Sequence, residues 1–218
     1  MAVNAEVFKA YDIRGIYPTE LNEDLARQIG RAFVTYLGAT RIAVGRDMRV
    51  SAPAMAAAFI EGARMQGAEV TDYGMIATDM LYFAVARDKH DGGAMITASH
   101  NPKDYIGMKL VRAEAFPLSG EAGIGQIRDM IVSGAIPAAA AKPGTLVANS
   151  DLLDDYVAHV MKFIDPAVIK PFNVVLDAAI MAVAGYREVE HVGRDHPVID
   201  HVGALRGRAV DKRGGQRR

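Results

Sequence analysis

The chain has 218 residues, of which 50% are hydrophobic and 23% are charged, and its formal net charge at pH 7 is −1. This composition is ordinary for a soluble globular protein, and the length suffices for one large or two small domains. A net charge close to zero gives no reason to expect a polyanionic partner for the molecule as a whole. The absence of cysteine excludes disulfides, thiolate metal ligands and cysteine nucleophiles.

The sequence also carries information about the compartment. Its first residues lack the apolar core of a signal peptide, and no apolar run is long enough to span a bilayer. The absence of cysteine suits a reducing environment. We therefore expect a cytoplasmic protein that has no membrane partner.

Segments typical of strands and of helices alternate along most of the chain. Predicted strands cover 41–45, 68–73, 93–96 and 108–111, and predicted helices cover 22–38, 51–67, 78–89 and 119–133. We expect Asn22, Ser51 and Thr78 to cap the first three of these helices. This alternation predicts an α/β fold, a three-layer sandwich around a mixed, mostly parallel sheet.

Composition divides the chain into three parts. Residues 134–144 are rich in alanine and proline, which predicts a linker that ends a first domain covering 1–144. Residues 145–185 lie beyond this boundary and hold a predicted helix that opens at 151 and a predicted strand over 172–177. Residues 186–218 have few large apolar groups, so we expect an irregular, poorly ordered tail.

The end of this tail is basic. Its last sixteen residues hold six Lys or Arg against one Asp. Clustered basic groups can bind a phosphate backbone without sequence preference. No aromatic residues are interleaved with them, so the signal is weak and nucleic acid is not the partner we expect.

A polar loop joins two of the predicted core strands, and it begins with Thr-Ala-Ser-His-Asn-Pro-Lys at residue 97. Ser99 is the candidate nucleophile, although a serine hydroxyl needs activation. His100 is adjacent, but neighbours on an extended segment point to opposite faces, so a Ser–His relay is not required. With Lys103 and Lys109 nearby in sequence, the serine is suited to carry a phosphoryl group. The alternative is a structural serine in an Asn-Pro turn.

Three segments resemble one known family. Residues 97–109 resemble the phosphoserine loop of the α-D-phosphohexomutases, T-A-S-H-N-P-x-x-Y-N-G-x-K, and differ from it at Ile106. Residues 8–15, F-K-A-Y-D-I-R-G, resemble the amino-terminal signature of the phosphomannomutase/phosphoglucomutase branch. The pattern G-R-D-x-R-x-S, at residues 45–51, also recurs in this family. We interpret its members Arg46, Asp47 and Arg49 as a structural ion-pair cluster near the site.

The resemblance implies an enzyme, an intramolecular phosphotransferase of the isomerase class. In this family a phosphoserine converts hexose 1-phosphate to hexose 6-phosphate through a bisphosphate intermediate. Carried over by position, Ser99 is the phosphoryl carrier. His100 and Lys109 are then the catalytic groups that transfer a proton and stabilise charge.

The resemblance also implies the ligands of the site. The expected partners are hexose phosphates and hexose 1,6-bisphosphate. The expected substrate-binding residues are Tyr11, Arg14, Asn101 and Lys103. The implied cofactor is Mg²⁺, for which Ser99 is the metal ligand expected in this chain.

Full-length members of this family have four domains, and this sequence shows no match to their acidic metal loop, sugar-recognition loop or last phosphate-binding loop. We therefore expect an amino-terminal piece of such an enzyme that is inactive alone. The resemblance implies that residues 145–185 are the start of its second α/β domain, which is incomplete here. The alternative is a non-catalytic phosphosugar-binding or phosphoacceptor module. Mannose and glucose both stay open as the hexose, and the sequence sets no oligomeric state.

Overall fold

The structure, a computed structural model, describes residues 3–168 and has a six-stranded sheet at its centre. The strands are β1 (Ile13–Ile16), β2 (Arg41–Arg46), β3 (Glu69–Met75), β4 (Gly92–Ile96), β5 (Tyr105–Arg112) and β6 (Leu146–Ala148). Their order across the sheet is β1-β5-β4-β2-β3-β6. Strands β4, β2, β3 and β6 are parallel, whereas β5 is antiparallel to both β4 and β1. The predicted mixed, mostly parallel sheet is confirmed.

Helices cover both faces of this sheet. They are α1 (Glu23–Leu37), α2 (Ala52–Met65), α3 (Thr78–Arg87), α4 (Ile124–Val132) and α5 (Leu152–Val160). Helices α1, α2 and α4 enclose the larger apolar core, which includes Phe33 and Phe59. Helix α3 covers a smaller core on the other face, with Leu81, Val85 and the first residue of α5. Burial of apolar surface on both faces explains the three layers.

Only one of the three predicted helix caps makes its hydrogen bond. The side chain of Asn22 accepts a hydrogen bond from the backbone N–H of Leu25, at 3.1 Å, ahead of α1. Ser51 precedes α2, but its backbone is already helical (φ −78°, ψ −17°), so its side chain makes no capping bond. Thr78 is the first residue of α3, and Ala77 occupies the cap position. Ser51 therefore occupies the predicted cap position without a side-chain capping bond, and the cap prediction for Thr78 is wrong.

The start of α4 differs from the prediction as well. The helix expected from residue 119 begins at Ile124. Gly123, directly before it, has φ +126°, a conformation that side-chain-bearing residues rarely adopt. This glycine lets the chain turn into the helix, and it explains the late start.

Helices α1 and α2 pack backbone to backbone. A Cβ atom added at Gly30 would overlap the carbonyl oxygen of Phe59, and one added at Gly62 would overlap the carbonyl oxygen of Arg27. The two glycines thus permit a closer approach than any other residue would. This contact holds the layer that covers β2 and β4.

Residues 135–145 contain neither helix nor strand. The chain then adds β6 to the edge of the sheet beside β3. The domain boundary at residue 144 stays a prediction, and the strand expected at 172–177 and the tail 186–218 lie outside the described residues. Residues 165–168 hold one short 3₁₀ turn. Within 3–168, each helix is too short or too polar to cross a bilayer.

Candidate active site

The predicted serine loop follows the carboxyl end of β4 and leads into β5. All five residues of β4 are buried, which anchors the start of the loop in the core. Ser99 is exposed, and its φ of +51° lies in the left-handed region. Its backbone N–H donates to Thr97 Oγ1 at 2.9 Å, and the backbone N–H of Asn101 donates to the carbonyl of Ala98 at 3.0 Å. The loop is therefore a defined turn that displays Ser99 at the surface.

A cleft of about 230 Å³ opens beside Ser99. Its lining residues are Asp12, Arg14, Thr97, Ala98, Ser99, His100, Asn101 and Lys109. Five of the residues predicted from the sequence thus meet at one cleft, and two of them are cationic. Such a cleft is suited to bind a phosphate group.

Sheet topology brings these residues together. Arg14 lies on β1 opposite Gly107 of β5, and Lys109 lies further along β5, so both strands reach the edge where the loop emerges. The guanidinium of Arg14 donates to Asn101 Oδ1 at 3.3 Å and lies 4.0 Å from the carboxylate of Asp12. Asp12 also lines the cleft and is not among the predicted site residues, although it lies within the same signature as Arg14.

Two predicted substrate-binding residues do not line this cleft. The side chain of Tyr11 is 79% exposed, and Lys103 is exposed on the outer part of the loop. Their role in binding substrate stays a prediction. Ile106, where the chain departs from the family pattern, is fully buried in β5 and does not line the cleft either.

The prediction of one ion-pair cluster for Arg46, Asp47 and Arg49 is wrong in its partners. Arg46 pairs with Asp72 of β3, at 3.3 Å. The carboxylate of Asp47 instead accepts backbone hydrogen bonds from Arg49, at 2.9 Å, and from Ala98, at 3.3 Å. Asp47 therefore connects the segment after β2 to the serine loop.

Arg49 contacts the main chain of the serine loop. Its guanidinium donates to the carbonyl oxygens of Ser99 (3.2 Å), Asn101 (2.5 Å) and Pro102 (2.6 Å). Sheet topology could have indicated this contact. Because β2 and β4 are parallel neighbours, the segments that follow them, which contain Arg49 and Ser99, meet at the same edge of the sheet. Sequence spacing alone does not reveal which backbone atoms a side chain will contact.

The residues of this cleft do not by themselves fit a magnesium site. Within residues 3–168, no group of three or more His, Cys, Asp or Glu side chains could hold a metal ion. Ser99 and Asp12 supply oxygen atoms at the cleft. A hard cation such as Mg²⁺ takes about six oxygen ligands, several of which are usually water or phosphate.

A second polar cluster lies just before β4, and it consists of Tyr73, Asp88 and His90. The hydroxyl of Tyr73 donates to the carboxylate of Asp88 at 2.5 Å and lies 3.0 Å from His90 Nε2. Since that hydroxyl has only one proton, Nε2 of His90 is the donor in the second bond. Tyr73 and His90 are buried, at 5% and 2% exposed, whereas the side chain of Asp88 is 26% exposed.

The environment of this second cluster shifts its pKa values. Burial, followed by the hydrogen bond to Asp88, raises the pKa of Tyr73. The hydrogen bond from Arg87 lowers the pKa of Asp88. Burial, with a smaller contribution from the Arg41 cation, lowers the pKa of His90, so the neutral imidazole is favoured.

A larger cleft, of about 880 Å³, lies between α3 and α5 and includes Phe83, Tyr156 and Phe163. It contains none of the predicted site residues. Its acidic groups are engaged, since Asp155 pairs with Arg87 and Asp79 accepts a hydrogen bond from Tyr156. The smaller cleft beside Ser99, with its exposed hydroxyl and two cations, is therefore the candidate active site.

The fold and cleft thus define an α/β domain that presents a serine loop at a cleft lined by two cationic side chains. Residues 5–134 match the family model "Phosphoglucomutase/phosphomannomutase, alpha/beta/alpha domain I". The chain belongs to the phosphoglucomutase/phosphomannomutase family.

Known relatives agree with this assignment. The chain is 43% identical over 171 residues to "Phosphohexose mutases" of Xanthomonas campestris, and 41% identical over 173 residues to an Escherichia coli phosphomannomutase. Both matches cover 78% of this chain and 38% of the relative. A solved family member from Burkholderia thailandensis matches with a TM-score of 0.65 and 32% identity, covering 73% of this chain and 36% of that one. This chain therefore spans well under half the length of these relatives.

Proposed function

We propose that this chain is the phosphoryl-carrying part of a phosphohexomutase, with Ser99 as the carrier. The observation that supports this most strongly is the exposed Ser99 side chain at a cleft that Arg14 and Lys109 also line. A transferring phosphoryl group is negatively charged, and the protein's contribution to such a reaction is mainly positioning and charge stabilisation. The substrates would be hexose 1-phosphate, hexose 6-phosphate and the 1,6-bisphosphate.

Five of the eight cleft residues have a role in this proposal. When Ser99 accepts a phosphoryl group, its Oγ forms a bond to phosphorus, and the bond from phosphorus to the sugar oxygen breaks. The hydroxyl proton leaves Ser99, and His100 on the same cleft is the candidate to take it and to return a proton to the departing sugar oxygen, which leaves as a hydroxyl. Arg14 and Lys109 stabilise the charge on the transferring group, and Asn101 orients Arg14 through their hydrogen bond.

We further propose that the chain by itself does not complete a catalytic cycle. The cleft offers a Mg²⁺ ion the Ser99 oxygen and the carboxylate of Asp12, and the family's acidic ligands would have to come from another segment or another chain. The chain also spans only 38% of the mutases that it resembles. Acceptance of one phosphoryl group without steady turnover is the expected behaviour.

The experiment is to incubate the purified chain with glucose 1,6-bisphosphate and Mg²⁺ and to measure three quantities. These are phosphate bound to the chain, transfer of that phosphate to added glucose or mannose 1-phosphate, and steady conversion of 1-phosphate to 6-phosphate. We expect labelling, slow transfer and no steady conversion. Rapid conversion by the chain alone would contradict the proposed inactivity, and absence of labelling would contradict the carrier role.

The phosphoacceptor alternative has its own outcome in this experiment. The small number of carboxylates around the cleft in the described residues favours it. A chain that takes up phosphate on Ser99 and keeps it in the presence of either hexose phosphate would be a phosphoacceptor module. Transfer of the phosphate to the sugar would identify a carrier.

A further inference from the structure

Arg49 does not line the cleft, but its guanidinium donates hydrogen bonds to three backbone carbonyl oxygens of the serine loop, within residues 99–102. We infer that Arg49 is a positioning residue, which holds Ser99 in the conformation that presents its hydroxyl to the cleft. The inference rests on the proposed function, in which that hydroxyl accepts phosphate. Arg49 would act through the loop backbone, without touching the substrate.

The conformation of Ser99 needs such support. Its φ of +51° is unfavourable for a residue with a Cβ atom, and such a conformation persists only when the surroundings fix it. The backbone N–H of Ser99 is fixed by Thr97 Oγ1, at 2.9 Å. Its carbonyl is fixed by Arg49, at 3.2 Å. Both polar backbone groups of the serine are therefore bound, one on each side of its side chain.

Only an arginine can make this set of contacts. The guanidinium offers five N–H donors in a planar fork, so it can donate to several carbonyls at once. Here one terminal nitrogen of Arg49 donates to Pro102, and the other donates to Ser99 and Asn101. A lysine would keep the charge but would concentrate it on a single nitrogen atom. We therefore expect a lysine at position 49 to replace the arginine poorly, because it keeps the positive charge but lacks the planar set of N–H donors.

Arg49 is itself fixed at both ends. Its backbone N–H donates to the carboxylate of Asp47, which also accepts from the N–H of Ala98 in the loop. The N–H of Asp47 donates to the carbonyl of Ile96, the last residue of β4. Asp47 thus ties the start of the Arg49 segment to the strand that delivers Ser99. We name this arrangement of Asp47, Arg49 and the loop carbonyls the loop clamp.

The test compares Arg49→Ala and Arg49→Lys with the wild-type full chain. The control is Arg128→Ala, which removes the same charge at an exposed pair with Asp129. Two quantities are measured: hydrogen exchange of the peptide 90–103, and the rate of Ser99 labelling by glucose 1,6-bisphosphate. Thermal unfolding of each variant shows that the chains compared are folded.

We expect Arg49→Ala to speed exchange in the loop and to slow labelling by about 100-fold, the size of effect that a misplacement of 1 Å can have. Arg49→Lys should recover less than half of the lost rate. Millimolar guanidinium should partly restore labelling of Arg49→Ala and leave Arg128→Ala unchanged. This rescue would distinguish a positioning role from a loss of overall stability.

Unchanged exchange in Arg49→Ala would overturn the inference, and this result does not depend on labelling. Faster exchange with an undiminished labelling rate would also overturn it, because the clamp would then be irrelevant to the hydroxyl. If the wild-type chain takes no label but exchange rises in Arg49→Ala, the proposed function fails and the loop clamp stands. The proposed carrier function of Ser99 and the positioning role of Arg49 can thus be refuted independently.

Discussion

Strand β4 has a polar cluster at each end, and the two clusters differ in what their side chains contact. Before the strand, Tyr73, Asp88 and His90 bond to one another, and Tyr73 and His90 are buried. After it, Asp47 and Arg49 bond to the main chain of the serine loop. In the first cluster the side chains bond to one another through the Tyr73 hydroxyl, while Nδ1 of His90 is buried without a hydrogen-bond partner among the described residues. In the second they satisfy the backbone, which leaves Ser99 exposed at a cleft.

Because of this difference, we expect the first cluster to contribute to stability and the second to contribute to the function of the cleft. A buried polar network is valuable only when its members are paired, so its loss should cost folding free energy. An exposed hydroxyl beside two cations contributes little to folding, because water solvates these groups in the unfolded chain as well. Changes in the first cluster should therefore affect unfolding, and changes at the cleft should affect labelling.

The largest expected effect is that of Ser99→Ala. This substitution should abolish labelling by glucose 1,6-bisphosphate, because the accepting oxygen is gone. The free energy of unfolding, measured with denaturant, should change by no more than about 0.5 kcal/mol. Ser133→Ala, at an exposed serine after α4, is the control and should keep full labelling. Persistent labelling of Ser99→Ala would place the accepting group elsewhere.

Next in size are Arg14→Ala and Lys109→Ala. Each removes a cation from the cleft, and each should slow labelling by about 100-fold, the usual cost of one preorganised charge-stabilising group. Arg14→Lys should be intermediate, because it keeps the charge but loses the hydrogen-bonding fork. Lys142→Ala, at an exposed position in the linker, controls for net charge. Equal rates in all four variants would refute the role of these cations.

Tyr73→Phe should show the opposite pattern. It removes the hydroxyl that joins Asp88 to His90 and leaves a buried imidazole N–H without its partner. We expect a loss of about 1–3 kcal/mol in the free energy of unfolding. Labelling at a pH where the protein stays folded should be unchanged. Tyr36→Phe, at a partly exposed tyrosine, is the matched control. Slower labelling in Tyr73→Phe would show that the cluster before β4 also affects the reactivity of Ser99.

The smallest expected effect is a dependence of stability on pH that His90 causes. Burial lowers the pKa of His90 from its ordinary value of 6.5, so below that pH the unfolded chain binds a proton that the folded chain does not. Stability should therefore fall as pH drops from 7 to 5. Asp88, whose pKa is lowered from 3.8, stays ionised in this range.

His90→Gln tests this linkage. Glutamine keeps an N–H that can reach Tyr73 but does not titrate. Denaturant unfolding of both proteins at pH 7, 6 and 5 should show a smaller loss of stability in the variant. Parallel curves for the two proteins would assign the pH dependence to other groups.

The sequence predicts the elements well where apolar periodicity is strong. Helix α1 and its Asn22 cap follow from spacing and from a local side-chain bond. The start of α4 cannot be predicted in this way, because it depends on the φ angle of Gly123. Ser51 has a suitable side chain for capping, but its backbone is already helical, and composition does not report that.

In the candidate site, too, some residues follow from sequence patterns and others depend on the backbone conformation. Ser99, His100, Asn101, Arg14 and Lys109 could be predicted, because two sequence motifs contain them and the sheet brings those motifs together. The loop clamp could not. Its partners are main-chain carbonyls, and these depend on the path of the loop in space, which residue types alone do not record.

The role of Ser99 as the phosphoryl carrier is tested by locating the phosphate on the chain after incubation with glucose 1,6-bisphosphate. Cleavage after Lys89 and Lys103 releases the peptide 90–103, which contains both Ser99 and Thr97. Fragmentation of this peptide in a mass spectrometer distinguishes the two hydroxyls. We predict phosphate on Ser99. Phosphate on Thr97 alone, or an unmodified peptide from a folded chain, would show that Ser99 is not the phosphoryl carrier.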